Sequence, residues 1–94
     1  MNKYTFLKRD LKENGFGYMT VFGNSMLPII QSGSRLRFEK KDGYEVGDIV
    51  FCKVRRRYID AHKITKKNRN RYMISNNRGR ENGWTRTIYG KVIL

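Results

Sequence analysis

The feature that most constrains the fold is a series of short β-prone runs after Gly17, each interrupted by Gly, Asn or Asp. Alternating apolar and polar residues bounded by such breakers are typical of half-exposed strands. Helical periodicity does not return after this point, so the pattern predicts a mainly β domain, small, twisted and antiparallel. The strands are predicted at residues 18–22, 35–38, 48–54, 58–64, 71–75 and 88–93.

One short helix is predicted before the strands. Tyr4, Leu7 and Leu11 fall on one stripe at helical spacing. Gly15 directly follows Asn14, and an Asn-Gly pair supplies the left-handed residue at which helices commonly stop. The helix should therefore span residues 4–14, with its apolar stripe packed on the sheet.

The length and charge of the chain limit its organisation and its partners. With 94 residues, the chain is expected to form one domain over residues 1–94 around one modest core. The formal net charge is +13. Such an excess suits contact with nucleic acid, with an acidic protein or with an anionic membrane surface, but it does not specify a fold. It is equally consistent with a basic surface that is simply solvated.

Cysteine and histidine each occur once, as Cys52 and His62. An intramolecular disulfide is thus excluded, and Cys52 lies in an apolar run where a buried, inert thiol is expected. A zinc site is hard to assemble from one residue of each type, so we expect no metal and no cofactor. The charged N-terminus lacks the apolar stretch of a signal peptide, and no segment is long and apolar enough to span a bilayer. These features predict a cytoplasmic protein.

The sharpest local motif is Gly-Asn-Ser-Met-Leu-Pro at positions 23–28. A serine on such a bend could be presented with free backbone amides nearby, although it needs a neighbouring base to become a nucleophile. Four further motifs follow in order. They are Val-Gly-Asp-Ile-Val at 46–50, Ile-Asp-Ala-His-Lys-Ile at 59–64, Ser-Asn-Asn at 75–77 and Gly-Lys-Val at 90–92.

This order resembles the serine-peptidase core shared by LexA-type repressors and type I signal peptidases, and the resemblance covers almost the whole chain. It implies that Ser25 is the nucleophile and that His62 is the general base, in a position where bacterial members typically carry Lys. Because an imidazole titrates near neutrality, it is a competent base there. Strand alternation sends Lys63 to the opposite face from His62, so only one of them can face Ser25.

The resemblance also suggests supporting residues. Backbone amides at Ser25 and its neighbours would form the oxyanion hole, with help from Asn24, and Met26 resembles a pocket-forming residue of the family. Members with a His base often orient it with an Asp in the later loop. This chain has asparagines there, so Asn76 is one candidate for holding the ring, and Asp60, on the same strand as His62, is the other.

Other family features are missing. The chain has neither the helix-turn-helix and Ala-Gly or Cys-Gly cleavage site of LexA-type proteins nor the membrane anchor of signal peptidases. It is similar to the isolated cores found as short free-standing phage and bacterial proteins. The leading interpretation is therefore a serine peptidase that cleaves a protein or peptide substrate with a Ser-His dyad; the oligomeric state is not indicated.

Basic segments indicate an alternative function. Lys and Arg mixed with Asn suit phosphate contacts, and Tyr58, Tyr72 and Trp84 are near enough in sequence to stack on bases. The alternative is a catalytically degenerate peptidase fold that binds nucleic acid or an acidic host protein. Its candidate residues are Lys66, Lys67, Arg69, Arg71, Arg55, Arg56 and Arg57.

Overall fold

The computed structural model describes residues 2–94 and contains one helix and one seven-stranded antiparallel sheet. The prediction of a mainly β domain with one N-terminal helix is confirmed. The sheet order is β1-β2-β7-β3-β4-β5-β6. The elements are α1 (Lys3–Asn14), β1 (Phe16–Val21), β2 (Ser34–Glu39), β3 (Ile49–Val54), β4 (Arg57–Asn68), β5 (Arg71–Ser75), β6 (Glu81–Thr85) and β7 (Thr87–Ile93).

The helix forms where the apolar stripe predicts it and begins one residue earlier. The side chain of Asn2 caps its start by accepting the amide of Thr5 at 3.1 Å. Gly15 ends it with a left-handed φ of 83°. Leu7 and Leu11 are 1% and 2% exposed, so the stripe packs on the sheet as predicted.

Two elements differ from the sequence prediction. The sequence analysis placed no strand between residues 76 and 87, yet Glu81–Thr85 forms β6 and pairs with β5. The Asn-Gly pair at 82–83 has low strand propensity, and tertiary pairing overrides it. In addition, β4 continues to Asn68, so the basic segment 65–71 is mostly strand, with a tight turn at Arg69 and Asn70.

The sheet separates two groups of buried side chains. The larger group contains Leu7 and Leu11 of α1 together with Phe38, Phe51 and Val92. Phe51 is fully buried, and its ring packs against those of Tyr4, Phe38, Tyr58 and Tyr89. The smaller group consists of Tyr44, Val50, Cys52, Val54, Ile64, Tyr72 and Ile74.

The sheet curls so that β6 approaches β3, although β4 and β5 lie between them in the sheet order. The hydroxyl of Thr85 donates to the carbonyl of Lys53 on β3. A Cβ atom added at Gly83 would lie 3.2 Å from Cγ1 of Val54, which leaves little room for a side chain at this position. The curl places Asn82, the neighbour of Gly83, close to the face of β4.

Candidate active site

Ser25 lies on the loop between β1 and β2, and the loop between β5 and β6 holds it in place. The amide of Asn77 donates to the carbonyl of Ser25 at 2.9 Å. The side-chain Nδ2 of Asn77 donates to the carbonyl of Leu27 at 2.8 Å. The peptide bond between Leu27 and Pro28 is cis. Two segments that are distant in sequence therefore fix the backbone around the serine.

Ser25 and His62 are in contact. Oγ of Ser25 lies 3.0 Å from Nε2 of His62, which projects from β4 at the position paired with Val50 of β3. This separation is a hydrogen-bond distance, as a nucleophile and its base require. The adjacent Lys63 does not line the cleft around Ser25.

Asn82 holds the other nitrogen of the imidazole. Its Oδ1 lies 2.9 Å from Nδ1 of His62. An amide oxygen only accepts hydrogen bonds, so Nδ1 carries the proton and Nε2 is left as the acceptor that faces the Ser25 hydroxyl. The hydrogen-bonded series Ser25–His62–Asn82 connects its members in the order of a nucleophile, a base and an orienting group.

Within residues 2–94, neither of the two residues predicted to orient the imidazole forms a hydrogen bond with it. Oδ1 of Asn76 accepts the amides of Arg78 and Arg80, both at 2.9 Å, and so closes its own loop. Asp60 pairs with Nζ of Lys3 at 3.3 Å. It lines the cleft beside His62, but among residues 2–94 no hydrogen bond joins the two side chains.

Asn82 was not predicted as a site residue, because no strand was predicted around it. Asn82 is 20 residues from His62. Its position depends on β6 pairing with β5 and on the curl of the sheet, and neither follows from local propensity. The local sequence offered only one indication of Asn82, a polar residue next to a glycine between Glu81 and Thr85. An Asn-Gly pair is equally typical of a turn.

A cleft of about 290 Å³ opens beside Ser25. Met26 is 4% exposed and contributes to both the core and the cleft wall. Tyr4 of α1 closes one side, where burial, reinforced by the nearby carboxylate of Asp60, raises the pKa of Tyr4 to about 12. The other apolar lining residues are Val21, Phe22, Ile30, Tyr58, Ile59 and Ala61.

Backbone amides near the serine differ in whether they have an acceptor. The amide of Gly23 donates to the hydroxyl of Ser32, and that of Leu27 donates to the carbonyl of Asn24. In the described part of the chain, the amides of Ser25 and Met26 donate no hydrogen bond. Asn24 is exposed, and its carbonyl closes the turn that carries the serine.

The basic segment 65–71 is divided by ion pairing. Lys66 pairs with Glu81 at 3.1 Å, and Lys67 pairs with Glu45 at 3.2 Å. Arg69 and Arg71 lie at the β4–β5 turn, where they line a cavity of about 320 Å³ with Asn68, Asn70 and Arg86. The triplet Arg55, Arg56 and Arg57 lies at the opposite end of β4. The two predicted basic segments are therefore separate sites.

Two of the three aromatic rings predicted to stack on bases do not present an open face. Tyr72 is 9% exposed and packs edge-on against Tyr44. Tyr58 stacks on Tyr4 with ring centroids 5.0 Å apart. Trp84 alone among them is 40% exposed, and the guanidinium of Arg71 lies 5.7 Å from its ring. Tyr58 and Tyr72 are thus engaged in packing within the domain, and Trp84 is the most exposed of the three rings.

Two further properties concern residues 2–94. No helix in this range is long and apolar enough to cross a membrane. No cluster of three or more His, Cys, Asp or Glu side chains in the range could hold a metal ion.

A curled antiparallel sheet, with a serine loop after its first strand and a histidine facing it from a central strand, defines a serine-peptidase-like domain of the LexA type. The family model described as Peptidase S24-like matches residues 2–93, and the chain belongs to this family. The resemblance seen in the sequence motifs is confirmed by this match. No curated protein matches the chain.

Proposed function

We propose that the protein is a serine peptidase that cleaves a peptide bond with Ser25 as nucleophile and His62 as general base. The observation that carries this proposal is the contact of 3.0 Å between Oγ of Ser25 and Nε2 of His62. The 2.9 Å contact of Nδ1 with Asn82 supports it, because it leaves Nε2 free to accept a proton. Membership of a peptidase family supports a peptide as the substrate class.

The reaction follows from this arrangement. Nε2 of His62 removes the proton from the Ser25 hydroxyl as Oγ attacks the substrate carbonyl carbon. The tetrahedral oxyanion is stabilised by the free amides of Ser25 and Met26. The imidazolium then donates its proton to the leaving amine as the C–N bond breaks, and an acyl-enzyme remains. Water, deprotonated by His62, hydrolyses the ester and returns Ser25 to its starting state.

Chemical labelling tests the nucleophile directly. A fluorophosphonate probe should form one covalent adduct, located at Ser25 by mass spectrometry of the digested protein. Ser25→Ala should abolish the adduct. Ser34→Ala is the matched control, because Ser34 begins β2 after the same loop and its hydroxyl only donates to the Gln31 carbonyl. A protein that forms no adduct, or an adduct that persists in Ser25→Ala, would overturn the proposal.

A second candidate function is favoured by the arginine cavity at the β4–β5 turn. Arg69, Arg71 and Arg86 form no ion pair within residues 2–94, and the chain carries a net charge of +13. We propose as the alternative that the domain binds nucleic acid through this turn. Affinity for a single-stranded oligonucleotide should then fall steeply with salt, since each phosphate contact releases counterions.

The salt dependence distinguishes this alternative from a merely solvated surface. Arg69→Gln with Arg71→Gln should flatten the slope of affinity against salt. Lys66→Gln with Lys67→Gln removes the same charge from ion-paired positions and should change the slope less. Binding that is absent at about 50 mM salt, or equal losses in both double variants, would reject the turn as a nucleic-acid site.

A further inference from the structure

A second cavity, of about 480 Å³, adjoins the cleft of Ser25. Tyr58 and Ile59 line both cavities, which therefore adjoin along β4. Asn82, whose amide oxygen holds His62, also lines the second cavity. A peptide that leaves the cleft past Tyr58 and Ile59 therefore enters this second cavity.

Three arginines from separate segments surround the second cavity. Arg55 lies on the β3–β4 turn, Arg57 begins β4, and Arg80 ends the loop before β6. The guanidinium of Arg55 lies over the backbone of Gly83, with Nε 3.5 Å from where a Cβ of that residue would be. We name this group, Arg55, Arg57 and Arg80, the arginine cluster.

The positive charge of the arginine cluster is not neutralised within residues 2–94. None of its three members forms an ion pair in this range. Glu81 is the one acidic residue that lines the cavity, and its carboxylate instead pairs with Nζ of Lys66 at 3.1 Å. Three cations therefore border the cavity beside one carboxylate that is already paired; the cations repel one another, and an anionic ligand would relieve that repulsion.

The arginine cluster suits a carboxylate or a phosphate, and the other residues around the cavity favour the carboxylate of an acidic side chain. A guanidinium presents a planar fork of donors that matches a carboxylate with two parallel hydrogen bonds. A continuous polyanion is less suited, because the carboxylate of Glu81 borders the cavity and the Tyr58 ring is covered by Tyr4. A single acidic side chain needs to contact only the guanidinium groups.

We propose that the arginine cluster is a subsite for an acidic side chain, Asp or Glu, of the peptide that Ser25 cleaves. The arginine cluster lines the second cavity and not the cleft beside Ser25, so the acidic residue flanks the scissile bond. Its position relative to the scissile bond rests on the proposed peptidase function. The preference for an acidic side chain does not require cleavage.

Binding to the Ser25→Ala protein tests the subsite without turnover. The probes are two fluorescein-labelled peptides of Ala and Gly, one with two adjacent Glu residues and the other with two Gln residues at the same positions. The Glu peptide should bind at least about tenfold more tightly than the Gln peptide, since hydrogen bonds to charged groups are the stronger kind. In an isotope-labelled sample, it should shift the amide resonances of Arg55, Arg57 and Gly83.

Two charge-matched triple variants separate the subsite from net charge. Replacing Arg55, Arg57 and Arg80 by Gln should abolish the preference for the Glu peptide. Replacing Arg9, Lys12 and Lys40 by Gln removes the same charge from exposed positions that do not line either cavity, and it should preserve the preference. Arg80→Gln alone, with its thermal midpoint measured, provides a milder variant should the first triple variant fold poorly.

Three results would overturn the subsite. The first is equal binding of the Glu and Gln peptides. The second is an equal loss of the preference in both triple variants. The third is displacement of the Glu peptide by an oligothymidine that shifts the same resonances and binds more tightly than the peptide. A protein that prefers the Glu peptide but is not labelled by the fluorophosphonate would retain the subsite and lose the peptidase proposal. A protein that is labelled by the fluorophosphonate but shows no preference for the Glu peptide would retain the peptidase proposal and lose the subsite.

Discussion

Oδ1 of Asn82 lies 2.9 Å from Nδ1 of His62, at the position where an acidic residue would place a carboxylate. Through its oxygen, the amide favours the same tautomer as a carboxylate would, with the proton of the neutral imidazole on Nδ1. It carries no charge, however, so in the proposed reaction it would stabilise the imidazolium less than a carboxylate does. Asn82 therefore orients the imidazole of His62 without adding a negative charge beside it.

Replacing Asn82 tests this role. Asn82→Ala should slow acylation of Ser25 by the fluorophosphonate about two- to tenfold, which corresponds to one lost hydrogen bond. Asn82→Asp should acylate at least as fast as the wild type, and the acidic limb of its pH–rate profile should move to higher pH, since a carboxylate favours the protonated imidazolium. Asn70→Ala, at the exposed β4–β5 turn, is the control. An unchanged profile in Asn82→Asp would contradict the positioning role.

Removing the base should cost more than removing its orienting group. His62→Ala should lower the rate of hydrolysis of an activated ester about 10²- to 10⁴-fold, the usual contribution of general base catalysis. The double variant with Ser25→Ala should lose no more than Ser25→Ala alone, because a nucleophile and its base act as a unit. Lys63→Ala is the adjacent control and should retain activity. If Lys63→Ala lost activity instead, the base would be Lys63.

The positions of Ser25 and His62 could be predicted from sequence because each lies in a short motif and the motifs follow the family order. The position of Asn82, the third residue of the hydrogen-bonded series, could not be predicted. Asn82 reaches His62 only because β6 pairs with β5 and the sheet curls toward β3, a long-range arrangement with no local signature. Asp60 was favoured by its proximity in sequence, but Lys3 of α1 takes its carboxylate.

Strands that contain apolar residues were predicted at positions close to those in the structure. The run at 71–75 coincides with β5, and those at 35–38 and 88–93 lie within β2 and β7. The strand predicted at 58–64 stops short of the basic end of β4, because residues 65–68 are polar on both faces. The pairing of Lys67 with Tyr72 shows that the neighbouring strand, rather than the intrinsic propensity, fixes this segment.

The aromatic packing around Phe51 should dominate the stability of the domain. Phe51→Ala would leave a cavity among Tyr4, Phe38, Tyr58 and Tyr89, and it should lower the free energy of unfolding by about 3–5 kcal/mol. The exposed Phe22, with 69% of its surface accessible, is the matched control, and Phe22→Ala should change stability by no more than about 0.5 kcal/mol. Urea denaturation measures both. Similar losses in the two variants would be inconsistent with this packing.

The buried thiol predicts a loss of stability in alkali. Burial raises the pKa of Cys52 from 9.0 to about 12. The unfolded chain therefore releases this proton at lower pH than the folded chain, so the contribution of Cys52 is fully present below about pH 9 and is lost as pH rises toward 12, by about 1.4 kcal/mol per pH unit. Urea midpoints between about pH 8 and about pH 11 should fall less steeply in Cys52→Ala. Parallel pH profiles for the two proteins would refute this linkage.

The two hydrogen bonds from Asn77 to the serine loop make local opening of the site observable. The amide of Asn77 donates to the Ser25 carbonyl, so its hydrogen exchanges with solvent only when the β1–β2 and β5–β6 loops separate. The exchange rate of this amide consequently measures how often the loop that carries Ser25 separates from the β5–β6 loop. It does so in the resting protein, without substrate, from a residue outside the Ser25–His62–Asn82 chain.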